Sequence, residues 1–235
     1  MIAVPREERL IVALDVPRAA EARALVERLG DAARFYKIGL ELFTSGGAFE
    51  LLDWLVARGN KVFADLKLYD IPETVRRATA NLSGSGATFL TVHGQRSIME
   101  AAAQEKRAMK ILAVTVLTSF DRHDLAEMEA GADVEKLVLS RARHAAQAGC
   151  DGVIASGLEA PRIKAEFGDQ LLVVTPGIRP AENRPRDDQK RTVDVVQAFA
   201  NGADYIVVGR PVRDAADPRA AAEAIQATIA SVFKS

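Results

Sequence analysis

The sequence is short of several things, and each shortage excludes a class of function. It holds one cysteine, Cys150, so no disulfide can form within the chain and no cysteine-built zinc site is possible. Its three histidines, His93, His123 and His144, lack any HxxxH or HxH spacing, so no metal site is expected. Aromatics are only 6% of 235 residues, too few for a surface on which bases stack. Lys and Arg number 31 against 32 Asp and Glu, so the basic excess of a general polyanion binder is missing. No apolar run approaches the roughly 18 residues of a membrane span. The opening MIAVPREERL lacks the basic segment followed by an apolar one that marks a secretory signal. The expectation is a reduced, cytoplasmic protein with neither a nucleic-acid nor a membrane partner.

What is present is an ordinary globular composition, 49% hydrophobic and 27% charged, arranged with a repeat. Eight short apolar, β-branched-rich runs recur: LIVALDV (10–16), FYKIG (35–39), KVFADL (61–66), TFLTVH (88–93), ILAVTVL (111–117), GVIAS (152–156), LLVVT (171–175) and YIVVG (205–209). Each is nearly continuous in apolar character, as strands buried on both faces should be. Helix-like stretches lie between them, among them 18–30, 46–59, 72–84 and 133–149. The first of these places Ala22, Leu25, Val26 and Leu29 on one face. Gly30, Gly59, Gly149, Gly168 and Gly202 follow such stretches, where a left-handed C-cap is expected. AGCDGVI at 148–154 is echoed by NGADYIV at 201–207 and more loosely by GSGATFL at 84–90.

Strict strand–helix alternation implies right-handed crossovers and a parallel sheet. Eight units in 235 residues fit a compact α/β fold, the (β/α)8 TIM barrel, filling residues 1–235 as a single domain. The alternative is an open doubly wound sheet, which would normally carry a glycine-rich loop after its first strand. Here that position reads Asp15-Val16-Pro17-Arg18. One polar, proline-bearing stretch, 179–191, is long for a βα connection and reads as a lid.

Side chains alternate along a strand. Asp65 and Lys67 then share a face with Phe63, opposite Val62, Ala64 and Leu66, while Lys37 shares one with Phe35 and Gly39. Asp15 and His93 close their own strands. Four successive strands thus end in inward titratable groups at the C-terminal mouth, where barrels place their chemistry. A solvated rim of salt bridges is the bland alternative, but gathering two lysines and two aspartates at one end carries a desolvation cost that a structural role has little reason to incur. After the last two strands come Thr175-Pro176-Gly177-Ile178-Arg179 and Gly209-Arg210-Pro211-Val212-Arg213. Gly209 lets backbone amides approach an oxyanion, Arg210 offers a fork, and Pro211 suits the first helical position, so these loops read as a phosphate site.

Together these motifs resemble the orotidine 5'-phosphate decarboxylase family in its bacterial form. The resemblance rests on DxKxxDIP at 65–72, ALDV at 13–16, YKIGLELF at 36–43 and TVHG at 91–94. It continues through VLTS at 116–119, TPGIRP at 175–180, DQKR at 188–191 and VGRPV at 208–212, spanning nearly the whole chain. It implies decarboxylation of orotidine 5'-monophosphate (OMP) to UMP, without metal or organic cofactor, in a homodimer. Lys37, Asp65, Lys67 and Asp70 would form a Lys–Asp–Lys–Asp array, with Asp70 contributed by the partner chain. Asp15 would hold a ribose hydroxyl, and Ile71 and a partner-chain Thr74 would also meet the substrate. Thr118 would contact the pyrimidine edge, and Arg179, Gln189, Gly209 and Arg210 the phosphate. His93 would stand at the site or just behind it. DxKxxD alone is shared with metal-dependent sugar-phosphate decarboxylases and aldolases, which stabilise an enediolate. A non-catalytic nucleotide-binding barrel is a further reading, though a binding module has no need of a paired ion array.

Overall fold

Eight parallel strands close into a barrel in chain order in the computed structural model, which describes residues 4–120, 122–127, 133–179 and 191–233. They are β1 (Leu10–Ala13), β2 (Phe35–Gly39), β3 (Lys61–Leu68), β4 (Phe89–His93), β5 (Lys110–Val114), β6 (Gly152–Ile154), β7 (Leu172–Thr175) and β8 (Tyr205–Val208). β8 returns to β1 with Ile11 opposite Val207, which closes the ladder. The helices are α1 (Ala19–Leu29), α2 (Leu40–Ser45), α3 (Ala48–Ala57), α4 (Pro72–Ser83), α5 (Arg96–Glu105), α6 (Arg122–Glu127), α7 (Val134–Gln147), α8 (Ala160–Phe167), α9 (Val195–Ala200), α10 (Arg210–Arg213) and α11 (Pro218–Val232). Every expected strand is present, but β1 and β5 stop short of the apolar runs that announced them. Leu14 and Val116, just past their ends, stay apolar because they pack under the helices.

The alternation of side chains builds two cores. Residues such as Leu10, Tyr36, Ile38, Val62 and Leu90 face outward and pack beneath the helices. Their neighbours Ile11, Phe35, Phe63, Phe89, Leu172 and Tyr205 fill the barrel interior. There the Phe89 ring stands 5.0 Å from that of Phe35, 5.2 Å from Tyr205 and 6.0 Å from Phe63, in tilted and edge-on contacts that suit aromatic quadrupoles. These four rings plug the barrel and floor whatever lies above them.

Two sequence expectations need correction. Gly30 and Gly168 end their helices with φ 55, ψ −125 and φ 53, ψ −125, which is not the left-handed helical region. Glycine is still required, since a side chain rarely adopts such a positive φ, but the chain turns into a short 3-10 segment instead of a left-handed cap. In α10 the first helical residue is Arg210, so Pro211 occupies the second position, and the helix is one turn long. Such a helix has almost no macrodipole to offer an anion. The expected lid, 179–191, falls mostly on residues 180–190, outside the described residues. Its flanks are tied together by an Ile178–Val193 bridge and by the Arg179 amide donating to the Val193 carbonyl at 3.0 Å.

Candidate active site

Moving up β2, β3 and β4 from the aromatic floor, the inward positions change from apolar to polar. Phe35 gives way to Lys37 and Gly39, Phe63 to Asp65 and Lys67, Phe89 to Thr91. The resulting groups form one chain of contacts. The Lys37 ammonium lies 2.8 Å from Asp15 Oδ1 and 3.5 Å from Asp65 Oδ2. Asp65 Oδ2 is 2.8 Å from the Lys67 ammonium, so one carboxylate oxygen is shared between two cations. Its other oxygen, Oδ1, accepts a hydrogen bond from the Thr91 hydroxyl at 2.8 Å. Lys37 and Asp65 keep only 11% of their side-chain surface, while Lys67 keeps 31% and faces the cavity above.

Burial would drive the Lys37 ammonium down, but the carboxylates of Asp65 and Asp15 outweigh it and hold its pKa above the ordinary value. Burial would likewise push the Asp65 carboxyl up. The ammoniums of Lys37 and Lys67 and the hydrogen bonds from Lys67 and Thr91 prevail and keep it below the usual carboxylate range. Both groups are therefore charged at neutral pH.

Lys67 reaches this position through a break in the strand. Ala64 pairs with Leu90 and Leu68 with Val92, so β3 carries two more residues than β4 over the same span. Within that bulge Lys67 has φ 47, and among the described non-glycine residues only Arg107 shares a positive φ. A left-handed lysine costs about 1–2 kcal/mol, a strain of the kind that collects at functional sites. Alternation alone put Asp65 and Lys67 on the same face; the structure keeps that outcome but reaches it by a bulge. On β2, Gly39 makes room for the array. A Cβ there would stand 3.1 Å from Lys37 Nζ and 3.2 Å from Asp15 Oδ1.

Above the array opens a cavity of about 480 Å³, within the roughly 300–1,000 Å³ of small-molecule sites. Asp15, Lys37, Asp65, Lys67, Thr118, Arg179, Gly209 and Arg210 all line it. So does Arg213, whose guanidinium donates to the Asp15 carbonyl at 2.5 Å and to Asp214 at 2.6 Å. Five cations thus face two carboxylates in a chain whose net charge is −1. Such a cavity favours a small, multiply charged anion.

Other expected residues lie elsewhere. Asp70, Ile71 and Thr74 are exposed on the β3–α4 connection and the start of α4, and do not line their own chain's cavity. The Asp70 carboxylate accepts from the Ile71 amide at 2.7 Å. His93 is also outside the lining; its ring packs 4.9 Å from that of Tyr69, and burial, with the nearby Arg141 and Lys67 cations, lowers its pKa. Gln189 lies outside the described residues.

Four residues went unread, or were read only in part, in the sequence. Thr91 is the inward position two before His93, so alternation within TVHG could have singled it out. Gly39 sits inside a quoted motif with no side chain to flag it, and Arg213 was read only as the last residue of the Gly209–Arg213 loop. Arg191 was read only as part of DQKR. It pairs with buried Glu159 at 2.5 Å and donates to the carbonyls of Val116 and Leu117, bracing the loop that carries Thr118.

Comparison with known proteins places the chain in a family. Residues 8–225 match the model of the orotidine 5'-phosphate decarboxylase / HUMPS family. An orotidine 5'-phosphate decarboxylase from Methylococcus capsulatus is 62% identical over 230 residues, 98% of this chain and 95% of that protein. The enzyme of the same name from Stenotrophomonas maltophilia is 53% identical, over 97% of this chain and 95% of its own. Among solved structures, an orotidine 5'-phosphate decarboxylase from Lactobacillus acidophilus superposes with a TM-score of 0.83 at 36% identity, covering 97% of this chain and 100% of that one. The chain belongs to the orotidine 5'-phosphate decarboxylase / HUMPS family.

Proposed function

We propose that this protein decarboxylates orotidine 5'-monophosphate to UMP and CO2 at the cavity above the Asp15–Lys37–Asp65–Lys67 array. The observation that carries the reading is the array itself, alternating in charge beneath a cation-rich cavity, in a chain 62% identical to an orotidine 5'-phosphate decarboxylase. The substrate carries a carboxylate and a phosphate, matching the excess of positive charge.

Breaking the C6–carboxylate bond releases CO2 and leaves an electron pair in the plane of the pyrimidine, where no conjugated system accepts it. A fixed ammonium beside C6 stabilises that pair electrostatically. Lys67 is that ammonium. It then transfers one Nζ proton to C6 and is reprotonated from solvent. Asp65, 2.8 Å from Lys67 Nζ, stands next to the substrate carboxylate, a repulsion relieved as neutral CO2 leaves. Asp15 and Lys37 hold the ribose, Thr118 the pyrimidine edge, and Arg179, Gln189, Gly209 and Arg210 the phosphate. Phosphate binding far from C6 supplies energy that orders the site around the reacting atom, with 179–191 as the lid.

Asp70, Ile71 and Thr74 serve the site of a second copy in a homodimer. Their exposure supports this, as does that of the neighbouring apolar side chain Tyr69, 62% exposed beside an Ile71 that is 67% exposed. His93 stays behind the site as a neutral support. The whole chain acts as one catalytic barrel, and the cytoplasm is its compartment. Burial pushes the Cys150 thiol up to about 12, which makes it unreactive.

Loss of OMP absorbance followed with EDTA present tests the reaction. Turnover undiminished by chelator supports the proposal; turnover restored only by Mg2+ indicates the metal-dependent relatives, and none at all a binding barrel. Mixing inactive Lys67→Ala and Asp70→Ala proteins tests the shared site. Random reassortment should restore about a quarter of native activity, because half the dimers then contain one intact site of two.

A further inference from the structure

We propose that Thr91 is a positioning residue for the decarboxylation, fixing Asp65 and Lys67 together through one hydroxyl. The inference rests on the decarboxylase reading of the site. Thr91 lies on β4, is fully buried and does not line the cavity, so it cannot touch a bound nucleotide. Its hydroxyl nevertheless meets both members of the ion pair below the reacting carbon. It donates to Asp65 Oδ1 at 2.8 Å and accepts from the Lys67 backbone amide at 3.0 Å. Asp65 Oδ2 in turn holds Lys67 Nζ at 2.8 Å. The contacts form a closed ring running from the Thr91 hydroxyl through the Asp65 carboxylate, the Lys67 ammonium and side chain, and back through the Lys67 amide.

Each link removes a freedom that nothing else nearby removes. The terminal torsion of an aspartate is broad and two-fold, so a carboxylate held at one oxygen can still pivot. The bond to Oδ1 stops that pivot and aims Oδ2 at the ammoniums. Lys67 leaves the bulge with φ 47, where the β3–β4 ladder is interrupted, and the hydroxyl gives its amide an acceptor there. A residue so placed decides where the ammonium sits relative to C6 without contacting substrate. Electrostatic stabilisation of this kind depends on groups held within about 0.5 Å of the productive position.

The test uses Thr91→Val, which keeps the shape and removes the hydroxyl, and Thr91→Ser, which restores it. Thr91→Ala serves as a second hydroxyl-free variant should valine not fold. Each full-length protein is measured for kcat and KM with OMP, affinity for UMP by calorimetry, and melting temperature. The hydroxyl-free variant should lose about tenfold to a hundredfold in kcat, while KM and UMP affinity stay within about twofold. Serine should bring kcat back to within about threefold of the parent. A hydroxyl-free variant with parental kcat overturns the proposal. So does a parallel loss of UMP affinity, or a serine variant no better than valine at equal melting temperature. A parent protein inert toward OMP removes both this inference and the functional reading; an active parent with an indifferent valine variant removes only this one.

Discussion

The two ends of the barrel use the same residue types for opposite purposes. At the N-terminal end, Asp151 accepts from the Ile111 amide at 2.9 Å and from Lys106 at 3.0 Å, and Asp204 accepts from the Val173 amide at 2.7 Å and from Lys164 at 2.7 Å. The lysines spend their remaining donors on carbonyls, Lys106 on Gly149 and Lys164 on Gly168 and Leu171. Each carboxylate there ties the amide of a neighbouring strand's second residue to a lysine of a helix end. At the C-terminal end, Lys37 and Lys67 bind carboxylates, Asp65 binds ammoniums and one hydroxyl, and the whole set faces a cavity of about 480 Å³. Charges whose bonding is completed by backbone fasten the fold. Charges completed mainly by one another, beside open space, are available to a ligand.

That contrast is broken most severely by removing Lys67. Lys67→Ala should reduce kcat by more than about a thousandfold while the melting temperature barely changes, because the side chain is partly exposed and its loss leaves Asp65 still paired with Lys37. Steady-state kinetics beside a thermal melt decides it; near-normal kcat would mean that another group protonates C6. Arg210→Ala comes next. Losing a cation from the cavity wall should cost kcat/KM about 3 kcal/mol, and orotidine without its phosphate should be a poor substrate even at saturation. Rapid turnover of the nucleoside would separate phosphate binding from the chemical step.

The N-terminal end should answer in the other currency. Asp204→Ala leaves the Lys164 ammonium and the Val173 amide without their shared carboxylate in a site only 5% exposed. Unfolding by urea should show a loss of about 3 kcal/mol, with kcat of the folded fraction unchanged. A fall in kcat at full folding would show that strain at this end reaches the mouth, and the division between fastening and binding charges would fail.

Much of this was legible in the sequence, for reasons that differ by residue. The barrel was readable because strands buried on both faces must be continuously apolar, and helix-ending glycines mark five of the eight units. The echo of AGCD and NGAD was visible as a repeat, but its purpose was not: nothing in those letters says that Asp151 and Asp204 will meet an amide of the adjacent strand. Asp15, Lys37, Asp65 and Lys67 could be placed at the mouth by alternation alone. The bulge at Lys67 could not, because the acceptor its amide meets, the Thr91 hydroxyl, lies on another strand, a tertiary contact with no local signature. The short helices α2 and α6 were missed for a related reason. At six residues each they are too brief to show a period.

The smallest predicted effect is the sharpest test of the contrast, since it adds atoms to the mouth without deleting any charge. Gly39 has φ −101, so alanine there meets no backbone strain. Its Cβ would press on Lys37 Nζ at 3.1 Å and Asp15 Oδ1 at 3.2 Å, and the pair must yield by a few tenths of an ångström. If the array is held for chemistry, Gly39→Ala should lower kcat about threefold to tenfold with the melting temperature within about 2 °C of the parent. If the melt drops while kcat holds, the ion pairs at the mouth fasten the barrel much as Asp151 and Asp204 do, and the cavity above them takes its ligand by some other means.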